Sequence, residues 1–507
     1  MNNKTKITIF SIIVFICLLC GIYIIANLIN TNKYKEMKET HNTDFVTIKV
    51  NGLDMLLNLG NEKLVDYNAP QLTTEFENTF RMDDLLYYDI KIDNKKLKEG
   101  KDLKVKIDEI SKEKTIPLEI KDKVSNKVYK LNIRTFNNKI NVETTGEGYE
   151  DGYYYFISEG TAIKMDNKGN VVFYSSNDYR NSFRPYLIND KVYYSMQKSV
   201  GDDSIINTKA YRRSKNLVFN DKYEVIDEVS TLIDGDLPKN YYLDGHDFTV
   251  IDKGHYLISG YVEKAVNNIP FLKGDVDVVV SVIQEIKDGK LVQEWRSSDY
   301  PELYALSKIK DNFKVNSKEE KENKPNNDIF EKKQETNRYV DYAHFNSMFI
   351  DPNDNNLVVS YRNICSVIKF DRKTGKIIWI LGGDADQFNL TDKQKFYYQH
   401  HATISNDNTL TIFDNGVANE QTRALEFKLD EKNKKVIEFN EYKIDGYFSG
   451  VQGSTAKIND DIFLSGWGGK KSHDIMFSEV DYKTNKVLFE AKNKKNSTTY
   501  RVYKFNK

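Results

Sequence analysis

Histidine is scarce in this chain, seven among 507 residues, and three of the seven fall at matching points of a repeating pattern. His246 stands ten positions before Tyr256, which opens an apolar strand, and His400 stands ten before Leu410, which does the same. The corresponding position in the last repeat is Gly453, ten before Phe463. His344 lies thirteen before Leu357, where the longer turn DPNDNN can absorb the difference. Imidazole at neutral pH can serve as a nucleophile, as a general acid or base and, once protonated, as a donor to anions. Three imidazoles at one repeat address therefore define the candidate site. The same register prefers His400 to His401, because adjacent strand residues face opposite ways. His41, His255 and His473 fall outside the register and read as surface or packing residues.

Two more residues belong with the trio. Arg362 ends the strand LVVSY in the repeat that carries His344, and its planar fork suits a tetrahedral oxyanion such as sulfate or phosphate. Asn346, two residues after His344, is expected on the same side by strand alternation, where it adds a neutral donor for a substrate. Three convergent histidines are also a common way to hold zinc or iron, so a His-ligated metal enzyme is one rival reading. Arg362 argues against it, since a guanidinium beside a dication is repelled unless an anion lies between, and no metal or other cofactor is expected. The other rival is a non-catalytic cell-surface binding module.

The elements that must position these residues recur. A short turn feeding an apolar strand appears six times, as EDGYYYF from 150, INDKVYYS from 188, IDKGHYLIS from 251, DPNDNNLVVS from 351, SNDNTLTIF from 405 and INDDIFLSG from 458. Interleaved with it is a polar hairpin turn, also six times, for example IKDGKLVQEW from 286 and FDRKTGKIIWIL from 370. Repeats of this length holding several short strands predict an all-β six-bladed β-propeller over residues 141–507, with the strand exits lining a central funnel. The charged, apolar-poor segment 311–338 reads as an insertion, either a surface loop or a lid leading to His344.

Ahead of the repeats, residues 45–140 carry alternating segments such as FVTIKVNG and YYDIKIDNKKL, expected to form a small β-sandwich. It holds no His or Cys, so its expected role is a scaffold or an oligomer contact, such as that of a homodimer. Residues 31–44 read as a polar linker. From Ile7 to Ile29 no charge interrupts the chain, and residues 1–30 are expected to hold a short cytoplasmic tip and a signal-anchor transmembrane helix, which needs roughly 20 apolar residues. The expected setting is a single-pass anchor in the cell membrane with the folded part outside the cytoplasm.

Composition agrees and excludes. Aromatics reach 12%, with 33 Tyr and 27 Phe, which favours strands. Lys plus Arg number 74 against 75 for Asp plus Glu, so no field exists to gather nucleic acid. Of three cysteines, Cys17 and Cys20 lie in the apolar N-terminal segment, leaving Cys365 without a soluble partner, so no disulfide staples the globular part.

The strings DGHDF (244–248), YAHFNS (342–347), SYRN (360–363), GKIIWILGG (375–383), QHHA (399–402), TIFDNG (411–416) and LSGWG (464–468), in this order, resemble the bacterial aryl-sulfate sulfotransferases. The resemblance covers nearly the whole chain after the apolar segment and implies a small sandwich followed by a six-bladed propeller. It implies an enzyme that moves a sulfuryl group from a phenolic sulfate donor to a phenolic acceptor through a sulfohistidine. In that family the nucleophile matches His400, His246, His344 and Arg362 match residues that hold the sulfuryl oxygens, and Asn346 matches a supporting donor. The family usually has an acidic residue where this chain has His401. No glycine-rich phosphate loop is present, so an adenylated sulfate donor has no obvious berth.

Overall fold

A computed structural model describes the chain from residue 45 to 506, except for residues 51–52, 60–63, 67–70, 73–75, 83–84, 108–114, 135–141, 177, 201–212, 233–241, 317–338, 460, 470–473 and 496–497. The apolar segment Ile7–Ile29, the linker 31–44, His41, His473 and most of the 311–338 insertion lie outside the described residues. Among the described residues the fold is all-β, with short helical turns only, and no helix is long and apolar enough to cross a membrane.

Two compact units form, one from residues up to Asn68 with Thr74–Asn137, the other from Ala69–Thr73 with Asn138–Lys507. The first unit contains a four-stranded and a five-stranded sheet. In its opening strand Phe45–Val50, Val46, Ile48 and Val50 are buried while Thr47 and Lys49 are exposed. This period of two hides one face and wets the other. Ile116, Leu118 and Ile120 repeat the pattern in Thr115–Asp122.

The second unit is built from six antiparallel sheets whose four principal strands follow one another in the chain, apart from the first sheet. They begin with Tyr153–Ser158, Tyr179–Ile188, Thr249–Asp252, Phe345–Ile350, His400–Ile404 and Ser454–Asn459. The C-terminal strand Val502–Phe505 pairs with Tyr153–Ser158 of the first sheet, while the early strand Glu143–Gly146 pairs with Lys486–Lys492 of the last. The two ends of this unit thus complete each other's sheets. The first and second, second and third, fourth and fifth, and fifth and sixth sheets touch through their first strands, and the last touches the first through Ile462–Gly466 and Val502–Phe505. The third meets the fourth where the Tyr261 hydroxyl donates to the Phe345 carbonyl.

Local chemistry explains the strand joints. Ile188 pairs with Lys191 across two residues, Asn189 and Asp190, which have φ of 50° and 61°. Such a two-residue loop needs left-handed residues and matches the strand twist, and Asn and Asp tolerate that conformation. Strands covered on both faces lose the alternation: Val276–Ile286 is buried throughout, and each fully buried Val or Ile there contributes roughly 1.5–3 kcal/mol. A buried charge on this unit is matched by opposite charges. Lys369 on the fourth sheet is 1% exposed and meets Asp351, Asp354 and, from the fifth sheet's hairpin, Glu431, all within 2.8 Å.

The insertion begins later than its composition suggests. Residues 310–312 form a helical turn, Phe313 is buried beside Phe271, Tyr304 and Tyr342, and Val315 bridges Val276. An aromatic residue in a charged run was enough to anchor its first turn. Val340, just past the described gap, bridges Val278 on the same strand.

Candidate active site

The three registered histidines occupy the entrances of the third, fourth and fifth sheets. His246 lies in the turn before Thr249–Asp252, His344 immediately precedes Phe345–Ile350, and His400 opens His400–Ile404. Cross-sheet hydrogen bonds fix their alignment. Met348 N–H donates to Asp247 Oδ2 (2.9 Å), Ala402 N–H to Ser347 Oγ (3.0 Å) and Val502 N–H to Ser454 Oγ (3.2 Å). Counting from these bonds, His246, Asn346, His400, Gly453 and Tyr500 are equivalent.

This corrects the expected register in the fourth sheet, where the equivalent of His246 and His400 is Asn346 and not His344. His344 reaches the group from two residues earlier by a left-handed backbone, φ 50°. The alternation argument for Asn346 fails for the same reason, reinforced by a bulge between Phe345 and Ser347. Asn346 is fully buried, and its Nδ2 donates to the Gln399 carbonyl at 2.6 Å.

His246 and His344 pack edge to face, ring centroids 5.0 Å apart. Each is backed by a carboxylate: His246 Nδ1 meets Asp244 Oδ2, and His344 Nδ1 donates to Asp341 Oδ2 at 2.6 Å. A carboxylate at Nδ1 supports the imidazolium form of each ring. Burial pulls the His344 pKa below the usual histidine value, Asp341 opposes this, and His246 and Arg362 add to it. An arriving anion would favour the charged form.

His400 is built differently. Its Nδ1 faces Asn415 Oδ1 at 2.6 Å, while Asn415 Nδ2 donates to the carbonyls of Ser449 (2.6 Å) and Gln452 (3.0 Å). Those two acceptors orient the amide, so Asn415 Oδ1 can only accept and His400 Nδ1 must carry the proton. Nε2 keeps its lone pair and receives a long contact from Gln452 N–H, 3.3 Å. Burial, then the positive field of Arg362, hold the His400 pKa well below the usual value, with His246 and His344 acting in the same sense. The result is a neutral imidazole whose unprotonated Nε2 is engaged by the long Gln452 contact, the protonation state required of a nucleophile.

His401 is the bulged residue between His400 and Ala402, with φ 42°. Its Nδ1 donates to the Thr455 carbonyl at 3.1 Å, and its surroundings are Tyr503, Arg501 and Arg184. None of these touches Asn415 or Arg362 in any described contact. The two neighbours therefore face different environments, through a bulge as well as strand alternation.

Arg362 begins the turn Arg362–Ile364 after strand Leu357–Tyr361. Its backbone N–H donates to the His344 carbonyl at 2.9 Å. Its guanidinium lies 4.8 Å from the Tyr398 ring centroid and donates to Asn363 Oδ1 (3.0 Å) and the Gly450 carbonyl (3.3 Å). The stretch from Gly450 to Gln452 thus borders both Arg362 and His400. It approaches closely because Gly453, φ 101°, has no Cβ; one would lie 2.1 Å from the Phe413 ring.

Sequence reading missed Asp244, Asp341, Asn415 and Tyr500. The first two stand two and three residues before their histidines, a readable spacing, and Asn415 lies in the TIFDNG string. Tyr500 left no signal. Of the other histidines, His255 pairs with Glu285 at 2.7 Å. Among the described residues no group of three or more His, Cys, Asp or Glu is arranged to hold a metal ion.

A stretch of 210 residues is 29% identical to the arylsulfate sulfotransferase AssT of Escherichia coli O6:H1 (strain CFT073), spanning 32% of this chain and 35% of that protein. Solved structures that align include the periplasmic gluconolactonase PpgL of Pseudomonas aeruginosa, with 9% identity, 70% of this chain and 99% of that one covered, and a TM-score of 0.37. Dihydro-heme d1 dehydrogenase NirN aligns with 12% identity, 68% and 55% covered, and a TM-score of 0.30. Both scores are too low to bear on fold or function. Residues 122–504, which include every histidine discussed above except His41, match the model of one family, and on that match the chain belongs to the arylsulfotransferase (ASST) family.

Proposed function

We propose that this chain is an aryl-sulfate sulfotransferase that transfers a sulfuryl group from a phenolic sulfate ester to a phenol by a ping-pong route through a sulfohistidine at His400. The observation that carries the reading is the contrast in backing groups: an amide behind His400 and carboxylates behind His246 and His344. One imidazole is held as a neutral nucleophile, and the other two carry a carboxylate at Nδ1 that favours their charged form when the sulfate arrives beside Arg362.

In the first half-reaction His400 Nε2 attacks sulfur, the N–S bond forms and the ester S–O bond breaks. The departing phenoxide takes a proton from the imidazolium of His246 or His344. The sulfated ring stays protonated at Nδ1, where Asn415 Oδ1 accepts its hydrogen bond. In the second half-reaction a phenol gives its proton to the now neutral histidine, its oxygen attacks sulfur, the N–S bond breaks and His400 regains its lone pair. Charge spreads over the peripheral sulfuryl oxygens, so positioned cationic donors dominate the barrier lowering. Asn346 enters as a supporting residue, holding its strand to the Gln399 carbonyl.

The second unit is proposed to be a six-bladed β-propeller, a reading supported by six sheets in sequential contact and by the exchange of terminal strands. The first unit is read as the β-sandwich and as the surface through which a homodimer would form. Ile7–Ile29 is proposed as a single-pass membrane anchor holding the catalytic part outside the cytoplasm, where an exogenous phenolic sulfate is a suitable donor; this rests on its sequence alone.

The test is incubation with 4-nitrophenyl sulfate and phenol, with intact-mass detection. Release of 4-nitrophenol with phenyl sulfate formation, and a sulfuryl adduct on the peptide holding His400 when acceptor is withheld, is the expected result. Absence of both would overturn the reading.

A further inference from the structure

We propose that Tyr500, supplied by the C-terminal end of the chain, is a catalytic residue whose hydroxyl donates a hydrogen bond to a peripheral oxygen of the transferred sulfuryl group. The proposal rests on the sulfotransferase reading above and adds a neutral donor to its cationic ones.

Tyr500 stands at the address of His246 and His400, two residues before Val502, whose N–H is held by Ser454 Oγ at 3.2 Å. Its ring centroid lies 6.3 Å from that of His246 and 6.3 Å from that of His400, both at steep interplanar angles of 69° and 90°. It therefore bridges the nucleophile and one of the anion-holding imidazoles. The neighbouring Arg501 guanidinium carbon, 5.0 Å from the Tyr500 centroid, steadies the ring. Arg501 is itself pinned to the carbonyls of Asn346 (2.8 Å) and His246 (3.3 Å).

The hydroxyl is buried with no hydrogen-bond partner among the described residues. Leaving a buried hydroxyl unsatisfied costs about 1–3 kcal/mol, so an acceptor brought by a ligand removes a standing penalty. Burial, with Asp244 and Asp247 nearby, pushes the phenol far above its ordinary pKa. Such a group keeps its proton and donates without ionising, which suits a hydrogen bond to a sulfuryl oxygen and excludes it as the acid that protonates the phenoxide. Geometry selects the peripheral oxygen. In an in-line displacement the ester oxygen leaves opposite the nucleophile, whereas Tyr500 sits beside His400.

The experiment is Tyr500→Phe in the full-length chain, assayed with aryl sulfates whose phenols span a range of acidity. The ring, its contact with Arg501 and the fold are kept, and Tm is expected to hold or rise because an unsatisfied hydroxyl has gone. kcat/KM is expected to fall on the order of 10²-fold, as for removal of one oxyanion donor, and by the same factor for every leaving group. Rates within twofold of the unaltered chain would overturn the proposal while leaving the sulfotransferase reading intact. A loss that grows with leaving-group pKa would put the hydroxyl on the ester oxygen and overturn the peripheral assignment. If the unaltered chain neither transfers nor labels, the underlying reading has failed and this one with it.

Discussion

His400 and Asn415 are joined by a 2.6 Å hydrogen bond whose direction is set at the far end of the asparagine, by the carbonyls of Ser449 and Gln452. This single amide decides which nitrogen of His400 carries the proton. Asn415→Asp replaces the amide by a carboxylate of nearly the same shape, which would favour the imidazolium and protonate Nε2. Labelling by 4-nitrophenyl sulfate at pH 7 is expected to drop at least about tenfold and to recover as the pH rises, because deprotonation restores the lone pair. The carboxylate also faces two carbonyls without a donor, so Tm should fall. A pH profile of labelling no different from that of the unaltered chain would show that Asn415 does not set the tautomer.

His400 and His401 can be separated by substitution because the bulge sends them to different partners. His400→Ala is expected to abolish adduct formation. His401→Asn is the cleaner companion, since Asn accepts the left-handed backbone and can still donate to the Thr455 carbonyl. It should keep the adduct and lose about 1–3 kcal/mol of stability from imperfect filling of the site. Peptide mass mapping after donor treatment decides, and an adduct that disappears with His401→Asn but survives His400→Ala would reverse the assignment.

Much of this site was legible before any coordinates. Spacing alone aligned His246, His400 and Gly453, because the turns between them and the next strand have equal length. It misplaced His344, since a left-handed residue and a bulge shift the chain by two residues, and neither leaves a mark in the pattern of apolar side chains. Strand alternation separated His400 from His401, and the physical device in the structure is the bulge with positive φ at His401. Tyr500 was invisible for a topological reason: it joins the first sheet from the far end of the chain, so no repeat of its own surrounds it. Asp244, Asp341 and Asn415 were readable as residue types, yet their meaning depends on which ring nitrogen they meet, and that needs three dimensions.

Arg362 holds its position through three separate contacts, the Tyr398 ring at 4.8 Å and acceptors on Asn363 and Gly450. A lysine can present a charge there but neither stacks in the same way nor forks. Arg362→Lys is expected to reduce kcat/KM on the order of 10²-fold with little change in Tm, measured with 4-nitrophenyl sulfate at saturating phenol. Arg362→Ala should lose more, and because the Arg362 charge holds the His400 pKa down, the acid limb of its labelling profile should move to higher pH. An Arg362→Lys rate within threefold of the unaltered chain would remove the fork from the mechanism.

Acid should destabilise this protein through its buried histidines, and the sign follows from their shifts. His400 and His401 lie well below the ordinary histidine pKa, and His344 lies below it, burial being the largest cause in each. In the unfolded chain each would take up a proton near pH 6.5, whereas in the folded chain each stays neutral until the pH is lower. Between those two values the unfolded state binds more protons, so stability rises with pH there and is lost as the pH falls from about 6.5. Thermal melts between pH 7.5 and 5 are expected to show a falling Tm. His401→Asn removes one of the three groups without touching the proposed nucleophile, so its Tm should fall less steeply over the same range even though it starts lower. Equal slopes for the two proteins would mean that His401 is charged in the fold or titrates normally, against its burial beside Arg501 and Arg184.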